Sequence, residues 1–269
     1  MAQMNTALTI AGSDSGGGAG IQADLKTFAA HGVYGTSAIT ALTAQNTIGV
    51  TAIHTVPAEF VTAQIEAVAE DLGCDAVKTG MLANAAIVEA VVAAIEELEL
   101  PNLVVDPVMI AKGGDRLLDE DAVHALRTAL LRLARVVTPN ISEAEVLAEM
   151  SIQSPADMRD AARRIRKFGP AAVLVKGGHL AGDTITDLLF DGTTMIEIKG
   201  PRIAGRHTHG TGCTLAAAIA ARLARGESLE AAAHAAREYV AGAMRHGIDL
   251  GAGHQPLNHY WSMHGESKL

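Results

Sequence analysis

The sequence predicts an α/β fold with a mainly parallel sheet covered by helices on both faces. Short β-branched runs alternate with longer amphipathic stretches, the pattern of successive strand–helix units. Capping residues stand where the amphipathic stretches begin. The 269 residues, 49% of them hydrophobic, are enough to bury a sizeable core as a single domain over 1–269.

The strand runs are 8–11, 36–42, 51–56, 76–79, 103–106, 136–138 and 172–176. The helical patterns between them are 20–30, 58–71, 84–98, 121–131, 143–150 and 156–167. Ser154 before Pro155 supplies an N-cap acceptor and a proline at the first helical position. Ser142 with Glu145 reads as a capping box, and Gly169–Pro170 stops the helix before it. Beyond residue 176 the pattern changes. Runs 184–190 and 195–199 flank Asp191–Gly192, which predicts a hairpin with a type I′ turn, added antiparallel at a sheet edge. Helices are expected over 211–225 and 229–246. The tail from Gly251 carries His254, His259, Trp261 and His264 without a readable fold.

The formal net charge of −9 argues against nucleic acid and anionic membrane surfaces as partners, since both are held mainly by Lys and Arg. Phosphorylated ligands remain open, because backbone N–H groups bind them without net positive charge. Two cysteines, Cys74 and Cys213, cannot form a disulfide framework. Residues 1–7 show no secretory pattern, and no apolar run reaches a membrane span. The expectation is a cytoplasmic protein.

Four segments carry chemistry. The first, 12–20 (Gly-Ser-Asp-Ser-Gly-Gly-Gly-Ala-Gly), joins a strand to a helix. It lacks the Gly-Lys-Ser/Thr of a P-loop and the spacing of a nucleophile elbow. Gly18-x-Gly20-x-x-Ala23 matches a dinucleotide fingerprint formally, but no ribose-binding acid follows over 38–44. A flexible connection, or a loop closing around a small substrate from Gly12 onward, remains. The second segment, 208–214, puts Gly210, Thr211 and Gly212 at a helix start, where free N–H groups and the helix dipole form an anion hole. Cys213 in that first turn is expected to have a lowered pKa and to accept a proton; a glycine cap with a small buried Cys is the plain alternative.

In the third segment, Asn140 and Glu143 stand at a strand's carboxyl end. Glu143 either holds the water shell of Mg²⁺ or only complements a helix dipole. The fourth pairs Asp106 and Lys176, either on metal–phosphate or as a local ion pair. Cys74 reads as a core or loop thiol. Arg159, Arg163, Arg164, Arg166 and Lys167 read as one solvated helix face. The eleven histidines show no metal-ligand spacing, and His207-x-His209 reads as a loop beside the anion hole.

Residues 7–28, with Thr40-Ala-Leu-Thr-Ala-Gln-Asn46, Lys78-Thr-Gly-Met-Leu82, Asp106-Pro-Val-Met109, Thr138-Pro-Asn140, Lys176-Gly-Gly-His179 and His209-Gly-Thr-Gly-Cys-Thr214, resemble hydroxymethylpyrimidine/phosphomethylpyrimidine kinases, the thiamine-pathway branch of the ribokinase-like superfamily. The resemblance spans nearly the whole chain in order. It implies a three-layer αβα sandwich with antiparallel edge strands and a homodimer. It also implies ATP-dependent phosphorylation of 4-amino-5-hydroxymethyl-2-methylpyrimidine, then of its monophosphate. Gln45 is expected on the pyrimidine edge, with Asp24, Met81 and Val108 beside the ring. Asn140, Lys176 and Asp106 are expected toward ATP, and Glu143 toward Mg²⁺, through water. Most ribokinase-like enzymes carry Asp where Cys213 stands; Cys is similar to this branch and to some pyridoxal kinases. Pyridoxal phosphorylation and a non-catalytic nucleotide or pyrimidine sensor are the alternatives.

Overall fold

A computed structural model describes residues 4–109, 118–180 and 182–263. His264 of the tail lies outside them. The chain order begins β1 (Thr6–Asp14), α1 (Gly20–Ala30), β2 (Tyr34–Gln45), β3 (Val50–Thr55), α2 (Ala58–Asp71), β4 (Ala76–Thr79), α3 (Ala85–Glu97) and β5 (Leu103–Val105). It continues with α4 (Glu120–Ala125), β6 (Val136–Val137), α5 (Ile141–Ala148), α6 (Pro155–Arg166), β7 (Val173–Val175), β8 (Thr184–Phe190) and β9 (Met195–Pro201). β10 (His207–His209), α7 (Thr211–Ala224), α8 (Leu229–Arg245) and β11 (Gln255–Pro256) complete it.

Nine strands form one sheet in the order β3-β2-β1-β4-β5-β6-β7-β8-β9. β2, β1, β4, β5, β6 and β7 are parallel; β3 at one edge and β8 toward the other run antiparallel to them, and β9 pairs antiparallel with β8. Alternate residues of each buried strand face opposite layers. Leu8, Ile10, Val77, Leu103 and Val105 pack with α2 to α6, whereas Ala7, Ala76 and Val104 pack with α1, α7 and α8. The αβα sandwich is thus the one the sequence predicts. α7 is central to its layer. Its alanines at 216–218, 220 and 221 are fully buried, and their small size lets the helix lie close on the sheet.

The strand expected at 51–56 returns antiparallel beside β2, at one of the edges where antiparallel strands are expected. Three local expectations are corrected. The cap of α5 is Asn140 with Glu143, not Ser142 with Glu145: each side chain of the former pair bonds the other's backbone N–H, at 3.0 and 2.8 Å. Glu145 instead accepts from Ile152 N at 2.8 Å, stitching the helix to the segment after it. The β8–β9 turn spans four residues, 191–194, between the paired Phe190 and Met195. Asp191 Oδ1 accepts from the N–H groups of Thr193 and Thr194, so an Asx turn replaces the two-residue type I′ turn. Finally, the helix expected over 121–131 is α only to Ala125; a π turn (Leu126–Leu130) and a 3-10 turn (Leu131–Leu133) finish it, and Leu126, Leu130 and Leu131 are all buried. The Ser154–Pro155 cap of α6 is present as expected.

The tail becomes a strap. β11 pairs with β10, and His254 N donates to Thr47 O at 2.8 Å in the β2–β3 connection. Buried His259 meets Thr214 Oγ1 of α7 at 3.0 Å, and Trp261 stacks on His246. Among the described residues no helix is long and apolar enough to cross a membrane.

Candidate active site

The site is built at the carboxyl ends of the parallel strands, where open α/β sheets expose their loops. At the end of β1, the Gly-rich loop folds around its own acid. Asp14 accepts from Gly16 N at 2.7 Å, Gly18 N at 3.0 Å and Ala19 N at 2.9 Å. His209 Nε2 lies 2.8 Å from the same carboxylate. Burial opposes ionisation of Asp14, but His209 and the backbone donors outweigh it and hold the carboxyl below its ordinary range. Lys26 Nζ donates to Gly17 O at 2.7 Å. The loop is therefore anchored, rather than a slack connection, and its anchor runs directly to the residue before Gly210.

The opposite wall comes from β2 and the segment after β4. Ser15 Oγ donates to Gln45 O at 2.7 Å and accepts from Gln45 N at 2.8 Å, fixing the backbone of Gln45. Thr43 Oγ1 lies 2.9 Å from Ser13 O and 3.0 Å from Gln45 Oε1, sharing one proton between the two acceptors, and Gln45 lines the cavity. Thr40 Oγ1 donates to Met81 O at 2.6 Å, and the Met81 sulfur packs against Gly12.

At the third side, α7 begins at Gly210, whose φ of +82° is open to glycine. Lys176 Nζ would lie 3.3 Å from a Cβ on Gly212, so the ammonium stands at the mouth of the helix start. It pairs with Asp106 Oδ1 at 3.0 Å and approaches Glu143 Oε2 at 4.0 Å. Thr138 Oγ1 lies 3.3 Å from Asp106 Oδ1. Burial pushes Glu143 above the usual carboxylate range; Lys176 pulls against it and Asp106 adds to it.

These walls enclose an inner cavity of about 160 Å³ and open onto an outer groove of about 640 Å³. Gly12, Gln45, Met81, Val108, Asp106, Asn140, Glu143, Lys176, Gly210, Gly212 and Cys213, each singled out in the sequence, line the inner cavity. Asn140, Lys176 and Gly212 line both spaces and mark their junction. Two candidates lie elsewhere. Thr211 lines only the outer groove. Asp24 is fully buried under the floor, 2.8 Å from Lys78 Nζ and 2.6 Å from Thr9 Oγ1. Its partner Lys78 lines the cavity.

The expected lowering of the Cys213 pKa is corrected. Burial pushes the thiol up to about 11, with Lys78 pulling it down and Asp106 and Asp24 pushing it further up. Removal from water outweighs the helix start here. Cys74 is also pushed up to about 11 by burial, and it packs against the core as a passive thiol.

Three features escaped the sequence reading. The Asp14–His209 clasp joins residues 195 positions apart, and nothing local signals it. Ile185, Ile203, Val240 and Met244 line the outer groove from elements remote in sequence. Lys78 was legible in principle: a charged residue inside a four-residue buried strand calls for a partner. Among the described residues no group of three or more His, Cys, Asp or Glu is placed to hold a metal ion.

The sequence profile of the phosphomethylpyrimidine kinase family matches residues 14–258. A hydroxymethylpyrimidine/phosphomethylpyrimidine kinase of Bacillus subtilis is 51% identical over 255 residues, covering 94% of each chain. One of Synechococcus elongatus is 53% identical over 258 residues, covering 96% of this chain and 98% of its own. Among solved structures, a pyridoxal kinase of Bacillus subtilis in an ADP complex superposes with a TM-score of 0.90 at 39% identity, over 96% of this chain and 98% of its own. A phosphomethylpyrimidine kinase of Clostridium difficile gives 0.80 at 42% identity, over 89% and 99%. With a family profile across nearly the whole length and relatives near half identity, the chain belongs to the phosphomethylpyrimidine kinase family.

Proposed function

We propose that the protein transfers the γ-phosphoryl group of ATP to the hydroxymethyl oxygen of 4-amino-5-hydroxymethyl-2-methylpyrimidine, and then a second one to the resulting monophosphate. The observation that carries this reading is the junction at Gly212, where a small cavity faced by the Gln45 amide meets a larger groove beside Lys176 and the start of α7. A phosphoryl group passing from groove to cavity crosses that anion hole.

In this reading Gln45 holds the pyrimidine edge with its side-chain amide, and Met81 and Val108 flank the ring. Lys176 and the Asn140 amide hold the ATP phosphates. Backbone N–H groups at Gly210–Cys213 face the charge that develops on the moving group. The acceptor oxygen bonds to the γ-phosphorus as the bond to the β–γ bridging oxygen breaks, releasing ADP. The hydroxyl proton goes to Cys213 when its sulfur is ionised. Because such transition states are loose, proton transfer comes late and the anion hole carries more of the rate. The residues fit Mg²⁺: Asp106 and Glu143 set two buried carboxylates against one Lys176 ammonium, and this excess of negative charge suits a cation that arrives on phosphate with its own waters. When bound, the ion neutralises phosphate charge.

A second reading, phosphorylation of pyridoxal, draws on the similar pyridoxal kinase structures, one of which, from Staphylococcus aureus in complex with AMP-PCP and pyridoxal, superposes with a TM-score of 0.89 at 36% identity. Both alcohols at equal concentration, with ATP and Mg²⁺, decide between them by product mass. Preference for the pyrimidine, with mono- and then diphosphate appearing, is expected; preference for pyridoxal overturns the first reading. ATP binding without turnover of either returns the sensor alternative. The reading includes a homodimer, supported by the exposed edge strand β3 and exposed Ile48, Ile53 and Phe60 beside it. Light scattering then gives twice the chain mass of 27.8 kDa.

A further inference from the structure

Under the inner cavity lies a charge pair that the reaction as described does not use. β1–β4 register sets Lys78 beside Thr9. Strand alternation from Ala76 points Lys78 toward the layer of α1 and α7. Its Nζ lies 2.8 Å from Asp24 Oδ2, with both side chains fully buried. Thr9 Oγ1 donates to the same oxygen, while Asp24 Oδ1 has no hydrogen-bond partner. Dehydrating such a pair costs several kcal/mol per ion, and apolar residues of similar volume often serve a fold as well or better. Stability alone therefore does not account for it. Its orientation does: Lys78 lines the cavity together with Cys213 and Gly80, and Asp24 does not. The cation of the pair thus stands on the cavity that Cys213 lines, and its counter-ion is buried off that cavity.

We propose that Lys78 is a positioning residue for Cys213: a fixed positive charge on the same cavity that keeps the sulfur ready to receive the hydroxyl proton, with Asp24 setting how much of that charge the sulfur feels. This rests on Cys213 as the proton acceptor of the first phosphorylation. The other charged groups facing the sulfur are Asp106 beyond β5 and Lys176 beyond β7, with Glu143, Asp14 and His209 on the same cavity. The backbone N–H of Gly20 also points at it. Burial and the two aspartates raise the thiol's proton affinity, and Lys78 works against them.

The test follows alkylation of Cys213 by iodoacetamide against pH in a Cys74→Ser background, which leaves one thiol. Asp24→Asn removes the counter-charge of Lys78, and the alkylation midpoint is expected to fall by about one pH unit. Asp24→Asn with Lys78→Met removes both charges, and the midpoint is expected to rise above the parent. The rate of the first phosphorylation should follow the same order, increasing in Asp24→Asn and decreasing in the double variant, with the second phosphorylation changing far less. No movement, or movement of both midpoints in one direction as lost packing would give, overturns the proposal. Should Asp24→Asn not fold, the double variant alone decides: an unchanged or lowered midpoint overturns the role of Lys78. Alkylation needs no acceptor, so failure of the pyrimidine assignment shows only in the turnover assays.

Discussion

The carbonyl oxygen of Gly18 presses on the α-carbon of Gly210: a Cβ there would lie 1.9 Å from that oxygen. The Gly-rich loop and the start of α7 are in backbone contact. Gly210→Ala must therefore push the two apart, at a residue whose φ is already positive. Expected are a fall of about 10²-fold in turnover of both phosphorylations and a stability loss of about 1–3 kcal/mol. Steady-state rates with each acceptor and a thermal melt check this; unchanged turnover with reduced stability would separate the contact from the chemistry.

Burial pushes Cys213 up to about 11, so below that value the thiolate fraction grows about tenfold for each unit by which pH rises. The first phosphorylation should accelerate with pH between 7 and 9, where Cys213→Ala should be flat and roughly 10²-fold slower. The second acceptor is a phosphate that is largely ionised already, so its loss in Cys213→Ala should be smaller. Equal small losses in both steps would remove the thiol from proton transfer.

Gln45 is held at its backbone by Ser15, and its side-chain amide lies beside Thr43 on the cavity wall. Gln45→Leu leaves a polar ring edge unpaired, at a cost of about 1–3 kcal/mol. The KM for the pyrimidine should rise about tenfold or more while that for ATP stays constant. Isothermal titration with each ligand reads the two separately.

Burial pushes His259 down to about 4, beside Thr214. An unfolded chain takes up this proton near pH 6.5 and the folded one only near 4. The stability that neutral His259 contributes is thus full above about pH 6.5 and is lost as pH falls toward 4, by up to about 3 kcal/mol. Denaturant midpoints should drop over that window, and His259→Asn should shallow the slope. A slope identical in the variant would assign the pH dependence to other groups.

The layers, the edge hairpin of β8 and β9 and most cavity-lining residues were legible because strand–helix alternation and Gly-rich turns are local signals. The α5 cap moved two residues because Asn140 and Ser142 are both competent acceptors and only the end of β6 decides between them. The direction of the Cys213 shift was misread because a helix start is local, whereas the burial that overrides it comes from β4, β5 and the Gly-rich loop together. Asp24 looked like a site residue in its motif, but its partner, Lys78, is 54 positions away. The strap was unreadable because its pairing with β10 and Thr47 depends on chain ends meeting in space.

That strap has a consequence for how the protein comes into being on the ribosome. Thr47, beside the Gln45 wall, is clasped by His254, and Asp14 in the first strand waits for His209. The earliest-made part of the pocket is completed by a histidine made 195 residues later. A nascent chain that has not yet reached His209 and His254 carries no finished pocket, and shortening the chain before His254 should abolish turnover even where α1 to α6 have already packed.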